Sequence, residues 1–184
     1  MKLSLQVAFI TGQSDPASCA LSPVQERFLD ALPISEAAKV RRNFPYAVHS
    51  QPYQEPMLLR ASWHNTRQYF ASRRPAFAER SRPAVLQMLA RANCTVLLAG
   101  SCGLELLANL RLPAEVLANV RVFAYGAVVR RRPVVELVAV RGRRDLIASR
   151  MPGAASVDCN HLSYLESPAV LAICAKFVAG HAAH

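Results

Sequence analysis

Three mainly apolar runs of strand length most constrain what this chain can fold into. They are CTVLLAG (94–100), VRVFAYG (120–126) and VVELVAV (134–140), and none of them shows a regular alternation of polar and apolar residues. Strands of a parallel sheet typically lack this alternation, because helices bury both of their faces. Helical patterns alternate with such runs along the chain. The sequence therefore predicts an α/β fold with a small, mostly parallel sheet and helices on both faces.

The remaining elements fit about five or six strands. We predict a first strand at 5–12, a second at 44–50 and a short edge strand at 155–159, with helices at 21–32, 57–72, 82–93, from about 103, and 167–181. Ser22 is placed to cap the first helix, and Pro23 suits its first position. With 184 residues, of which 52% are hydrophobic, residues 1–184 are expected to form a single domain.

The charge balance is strongly basic, with 22 Lys and Arg against 12 Asp and Glu and a formal net charge of +10. The basic clusters at 40–42, 72–75 and 130–133 lack interleaved aromatic residues and any known nucleic-acid-binding motif. We therefore expect no nucleic-acid partner. A positive field of this size can still steer an anionic substrate or an acidic partner protein toward the surface.

The cysteines and the hydropathy pattern indicate the cellular compartment of the protein. Five cysteines form no Cys-x-x-Cys pair and no zinc-type spacing with histidine, so neither a metal site nor a disulfide framework is expected. No run reaches the roughly 18 apolar residues of a membrane-spanning helix. The apolar start of the chain is short and interrupted by Gln6, which favours a buried strand over a signal peptide. These patterns predict a cytoplasmic protein.

A polar pair between glycines follows the strand at 94–100. Residues Ala99 to Gly103 read small-x-Ser-x-Gly, the pattern of a sharp strand-to-helix turn that exposes a nucleophilic side chain. Ser101 and Cys102 are both candidates for that nucleophile. Ser101 is favoured because its neighbours two positions away, Ala99 and Gly103, are both small, whereas Cys102 would place Leu104 in the crowded position.

A serine needs a base and an orienting carboxylate, and both come later in the chain. Asp145 comes three residues after Gly142 at the end of a strand, and His161 begins the stretch HLSYLESPAVLAICAKFV. In the order Ser101, Asp145, His161, with these flanking motifs, the sequence resembles the α/β-hydrolase family over nearly its full length, as a small member without a lid. The resemblance implies a three-layer fold in which these three residues form the catalytic site.

The resemblance also implies the roles of the residues. Ser101 would be the nucleophile, His161 the general base and then acid, and Asp145 the group that orients the imidazole. The oxyanion hole would use the backbone N–H groups of Cys102 and Gln13. No cofactor or metal is needed for this chemistry.

Alternatives remain for two of these positions. Asp145 could instead cap the segment DLIAS, and Asp158, three residues before His161, is a rival acid. Ser14 competes with Gln13 for the oxyanion position.

The segment AVVRRRP (127–133) is too short to hold a lid, so we expect an open site. If any element covers it, the candidate is 50–82, with Trp63, Tyr69 and Phe70 as an apolar underside.

These residues together predict a serine hydrolase that cleaves an ester or a thioester. The substrate would be a small molecule or a carrier-bound acyl group, and the basic surface favours an anionic donor such as the phosphopantetheine arm of an acidic carrier protein. The alternatives are a non-catalytic binding protein of the same fold, and an acyltransferase or peptidase that uses the same three residues.

Overall fold

The computed structural model describes residues 2–13, 18–44, 53 and 58–182, and within 58–62 it describes the backbone only. Six parallel strands form one sheet: β1 (Leu3–Ile10), β2 (Lys39–Phe44), β3 (Ala92–Gly100), β4 (Val120–Tyr125), β5 (Glu136–Gly142) and β6 (Ala155–Val157). The described helices are α1 (Pro23–Asp30), α2 (Leu58–Ala71), α3 (Pro75–Leu89), α4 (Gly103–Asn109), α5 (Ala114–Leu117) and α6 (Pro168–Ala182). The predicted α/β class and the strand number are confirmed, and the sheet is parallel throughout.

The strand order β2-β1-β3-β4-β5-β6 reverses direction between β1 and β3. The chain leaves β1 toward one edge of the sheet and then runs from β3 toward the other. In open α/β sheets, ligands bind in the crevice outside the carboxyl ends of the strands at such a reversal. The loops after β1 and β3, which begin at Thr11 and Ser101, flank this crevice.

Two apolar layers hold the helices against the sheet. On one face, side chains of α3 and α4 such as Val85 and Leu106 pack against alternate strand residues such as Leu97. On the other face, Leu29 of α1 and Cys174 of α6 are fully buried in a second cluster. This two-sided burial explains the lack of polar alternation in the central strands, because a strand covered on both faces has no side that water favours.

Most predicted elements match within a few residues, and the capping of α1 is confirmed in detail. The Ser22 hydroxyl accepts a hydrogen bond from the Gln25 backbone, and the Gln25 side chain accepts one from the Ser22 backbone N–H. This reciprocal pair satisfies two N–H groups that the helix leaves unpaired.

Two predicted boundaries were wrong. The second strand lies at Lys39–Phe44, and residues 45–50 of the predicted strand 44–50 lie outside the described residues. The helix predicted at 82–93 begins at Pro75, with Pro83 inside it. A proline at the first helical position loses no hydrogen bond, so Pro75 is the true start, whereas Pro83 falls inside a helix held by the burial of Phe77 and Val85.

The two connections after β4 and β5 contain no helix. Residues 126–135 join β4 to β5, and residues 143–154 join β5 to β6. Their side chains, including Val129, Met151 and Ala154, pack on the same face as α3 and α4. Loops rather than a helix therefore cover that face of the sheet beside β5 and β6.

Among the described residues, no helix combines the length and the apolar character needed to cross a bilayer.

Candidate active site

The turn at Ser101 has the backbone geometry that the sequence pattern predicts. Ser101 has φ of +50°, in the left-handed region that a residue with a side chain rarely adopts. β3 ends at Gly100 and α4 begins at Gly103, so the strained residue lies between a buried strand and a helix. Such strain is typical of a turn that holds a side chain outward at a functional site.

Gly103 allows the helix to approach the sheet. A Cβ atom at this position would lie 1.8 Å from the carbonyl oxygen of Ile10 on β1, far inside van der Waals contact. Only glycine fits there without displacing backbone. The small residue two positions after Ser101 is therefore required by contact between α4 and β1, which is the reason inferred from the sequence for preferring Ser101 over Cys102 as the central residue of the turn.

The Cys102 thiol is buried, with 3% exposure, against the loop after β1. Burial raises its pKa to about 12, so the nucleophilic thiolate is scarce at neutral pH. The side chain of Cys102 thus packs in the core, and its backbone N–H makes no hydrogen bond to another residue within the described part of the chain.

Asp145 and His161 form a direct pair. Oδ2 of Asp145 accepts a hydrogen bond of 2.9 Å from Nδ1 of His161, on the loops after β5 and β6. Because a carboxylate only accepts, Nδ1 carries the proton and Nε2 is the nitrogen left to accept another. Asp158, the rival acid, is exposed and pairs with Arg144 at 3.2 Å. The structure therefore places Asp145, and not Asp158, on the imidazole.

The Asp145 carboxylate is fully buried and accepts four hydrogen bonds. Oδ1 accepts from the backbone N–H groups of Ile147 and Ala148, and Oδ2 accepts from His161 and from the Tyr164 hydroxyl at 2.7 Å. Burial by itself raises the pKa of this carboxyl, but the hydrogen bonds, led by that of Tyr164, outweigh it and leave the pKa below its ordinary value. Asp145 is thus an anion held in one orientation, and it caps its own turn as well.

Tyr164 is a site residue to which sequence reasoning assigned no role. Its hydroxyl donates to Asp145 and accepts a 2.7 Å hydrogen bond from the backbone N–H of Gly142. This one buried group ties the end of β5 to the acid. The aromatic residue in the stretch HLSYLESP, three residues after His161, was the available signal in the sequence.

Ser101 and His161 are not hydrogen-bonded to each other. The Ser101 backbone bonds to Tyr125 and Val128, but its hydroxyl makes no hydrogen bond within the described residues. His161 has 19% of its side chain exposed. The sequence predicted contact between these two side chains. Catalytic hydrogen bonds are often long before substrate binds and shorten in the complex.

The backbone N–H of Gln13 is already occupied. It donates a 2.7 Å hydrogen bond to Oε1 of Gln68 on α2. Asn65, one turn earlier on the same helix, lies against Gly12. A Cβ atom on Gly12 would lie 2.4 Å from Asn65 Oδ1. The Asn65 oxygen is buried and without a hydrogen-bond partner among the described residues. Ser14, the rival of Gln13, lies outside the described residues.

Helix α2, part of the segment 50–82 named as the candidate cover, therefore contacts the loop after β1. The part of 50–82 that touches the loop after β1 is a polar face of α2, with Asn65 and Gln68. Trp63 and Phe70 are 68% and 58% exposed and Tyr69 is half-buried, so the first two do not pack as an apolar underside against the described residues.

Exposed apolar side chains follow Asp145 and His161 in the chain. Leu146 is 94% exposed, and Ile147 and Leu162 are also exposed. They come directly after Asp145 and His161 in the chain. Since water disfavours such side chains, this rim offers an apolar contact to whatever reaches the imidazole.

The described residues contain no group of three or more His, Cys, Asp or Glu side chains placed to hold a metal ion.

A scan against protein-family models matches no family, and a search of curated proteins finds no match to the chain.

Proposed function

We propose that the protein is a serine hydrolase of the α/β-hydrolase type, which cleaves an ester or a thioester through an acyl-enzyme intermediate. The observation that carries this proposal is Ser101 itself, a serine in a strained left-handed turn between a buried strand and a helix. The Asp145–His161 pair at the same edge of the sheet supports it. Nucleophile, acid and base occur along the chain in the order of that family.

In the proposed reaction, Nε2 of His161 takes the proton of the Ser101 hydroxyl while Oγ attacks the substrate carbonyl carbon. The tetrahedral intermediate collapses as His161 returns the proton to the departing alkoxide or thiolate, which leaves as an alcohol or a thiol. Water then attacks the acyl-serine with the same base, releasing the acid and restoring Ser101. Asp145 stays ionised throughout, because its pKa lies below the ordinary range, and it stabilises the imidazolium.

The oxyanion would be held by two backbone N–H groups. The Cys102 N–H donates to no other described residue, and the Gln13 N–H donates to the carboxamide oxygen of Gln68. A carbonyl oxygen at 2.7 Å from Gln13 supports the view that this N–H can serve a substrate oxygen, which would displace Gln68 on binding. The Gln68 side chain would then compete with the substrate oxygen for the Gln13 N–H.

The surroundings of the acid–base pair indicate the substrate class. The exposed apolar rim of Leu146, Ile147 and Leu162 favours an apolar acyl or alcohol group. The net charge of +10 favours an anionic donor, either a small molecule or an acyl group carried on an acidic protein. A binding protein with the same three residues would carry out no attack, and an acyltransferase or a peptidase would differ in the acceptor of the acyl group or in the bond cleaved.

Steady-state hydrolysis of a short-chain nitrophenyl ester and of an acyl thioester tests this proposal. We expect Ser101→Ala and His161→Gln each to lower kcat by at least about 1,000-fold, and the double variant to be little worse than either single one. Cys102→Ala is the matched control one residue away and should keep most of the activity. Full activity in Ser101→Ala would contradict the proposal, and tight ligand binding without turnover in the unmodified protein would favour the binding-protein alternative.

A further inference from the structure

A cavity of about 220 Å³ lies on the loop-covered face of the sheet, beside β5 and β6. Arg141, Arg150, Met151, Ala154 and Ser156 line it. Arg141 and Ser156 are paired in register on the neighbouring strands, so their side chains project from the same face. The cavity exists because residues 143–154 cross this face as a loop without a helix.

The charge of this cavity is uncompensated. None of its five lining residues is acidic, while two are arginines. The two nearest aspartates along the chain are engaged elsewhere, Asp145 with His161 and Asp158 with Arg144. Two arginine side chains that line one small space repel each other, and an anion bound between them would remove this repulsion.

Arg141 also has an unused donor. Its Nη2 donates a 3.0 Å hydrogen bond to the backbone carbonyl of Asp145, but its Nε is buried and has no hydrogen-bond partner among the described residues. A guanidinium carries five N–H donors in a planar fork that matches the oxygens of phosphate. Because the buried Nε has no surface that an oxygen atom can reach, a ligand oxygen is expected at Nη1, which also makes no hydrogen bond among the described residues.

We propose that this cavity binds a phosphate group, either free phosphate or the head of a small phosphate monoester. Two guanidiniums balance the charge of a phosphate dianion, and the Ser156 hydroxyl supplies a further hydrogen bond. The volume is sufficient for a phosphate head. Because Arg141 also holds the Asp145 carbonyl, the bound phosphate steadies the loop that carries this carboxylate.

Thermal unfolding with sodium phosphate tests the site, against sodium chloride at matched ionic strength. We expect a saturable rise in Tm with phosphate, of about 5–10 °C at a hundredfold excess over Kd, and no comparable rise with chloride. A parallel titration uses glycerol phosphate. If Tm saturates at a lower concentration of glycerol phosphate than of free phosphate, the ligand is a phosphate monoester; the reverse order indicates free phosphate. A rise that is equal in chloride, or absent in both phosphate arms, would overturn the proposal.

The matched variants are Arg150→Gln, inside the cavity, and Arg143→Gln, an exposed arginine outside it. Each removes one positive charge. We expect Arg150→Gln to weaken phosphate binding at least tenfold and Arg143→Gln to leave it unchanged; equal weakening would show a response to net charge alone. Ser101→Ala should keep the phosphate response, so the result stands or falls independently of the proposed hydrolase activity.

Discussion

Replacing Tyr164 by phenylalanine removes one oxygen atom on which two buried groups depend. The Gly142 N–H loses its acceptor, at a cost of about 1–3 kcal/mol for an unsatisfied buried donor. Asp145 loses a charge-assisted hydrogen bond worth about 1.5–3 kcal/mol. Since the two losses share one atom and are not additive, we expect Tyr164→Phe to lower the free energy of unfolding by about 3 kcal/mol at pH 7.

The pH dependence of stability should show how much of this loss comes from the hydrogen bond to Asp145. The pKa of Asp145 is lowered in the folded protein, so its ionised form stabilises the fold above the unfolded pKa of about 3.9, and this contribution is lost as pH falls through the folded pKa. Without the Tyr164 hydroxyl the folded pKa rises toward the ordinary value. The stability difference between the two proteins should therefore shrink at strongly acidic pH.

Urea unfolding at pH 7 and at pH values of about 3.5 and about 2, below the unfolded pKa of Asp145, measures these effects, with Tyr69→Phe as the matched control. The Tyr69 hydroxyl makes no hydrogen bond in the described part of the chain, so its loss should change stability by less than about 0.5 kcal/mol. We also expect Tyr164→Phe to lower kcat about tenfold with little change in KM, since only the orientation of the acid is affected. A change as small as that of Tyr69→Phe, with the same acid dependence as the parent protein, would refute this account of Tyr164.

Three further outcomes are expected. Gln68→Ala should lower KM about fivefold by removing the oxygen that competes for the Gln13 N–H, and Gln68→Glu, which keeps an acceptor of the same length and adds charge, should raise it. Gly103→Ala should cost more than about 3 kcal/mol of unfolding free energy because its Cβ meets a β1 carbonyl, whereas Gly180→Ala on α6, where a Cβ meets nothing within 4 Å, should be neutral or stabilising in the same urea titration. Hydrolysis of a short-chain ester should rise hyperbolically with substrate and show no jump at the micellar threshold, because residues 127–133 are too few to form a lid; a jump that disappears on trimming 50–82 would show that this segment covers the site.

The sequence was most informative where burial leaves one solution. Strands β3 and β4 were predicted from apolar runs that only a covered strand explains, and the turn at Ser101 from small residues that a close helix–strand approach requires. Strand β2 was missed because its sequence, KVRRNF, carries three charged residues on an edge strand, and neither pattern nor propensity marks it.

The contacts within the site could not be predicted in the same way. Asp145 was preferred over Asp158 from its position three residues after Gly142 and from the family resemblance, whereas the burial of Asp145 against His161 and the exposure of Asp158 beside Arg144 are set by the tertiary structure. The contact between Gln68 and Gln13 spans 55 residues and depends on how α2 docks. No local pattern encodes such a contact, because it arises from the tertiary placement of two separate elements.

Covalent labelling with a fluorophosphonate probe tests the central claim most directly, because the probe forms a stable bond only with an activated serine hydroxyl. Intact mass and peptide mapping should show one adduct per chain on Ser101 in the unmodified protein and in Cys102→Ala. Ser101→Ala should show none, and His161→Gln should be labelled at least about 100-fold more slowly. An unlabelled parent protein, or an adduct elsewhere that persists in Ser101→Ala, would contradict the assignment of Ser101 as the nucleophile.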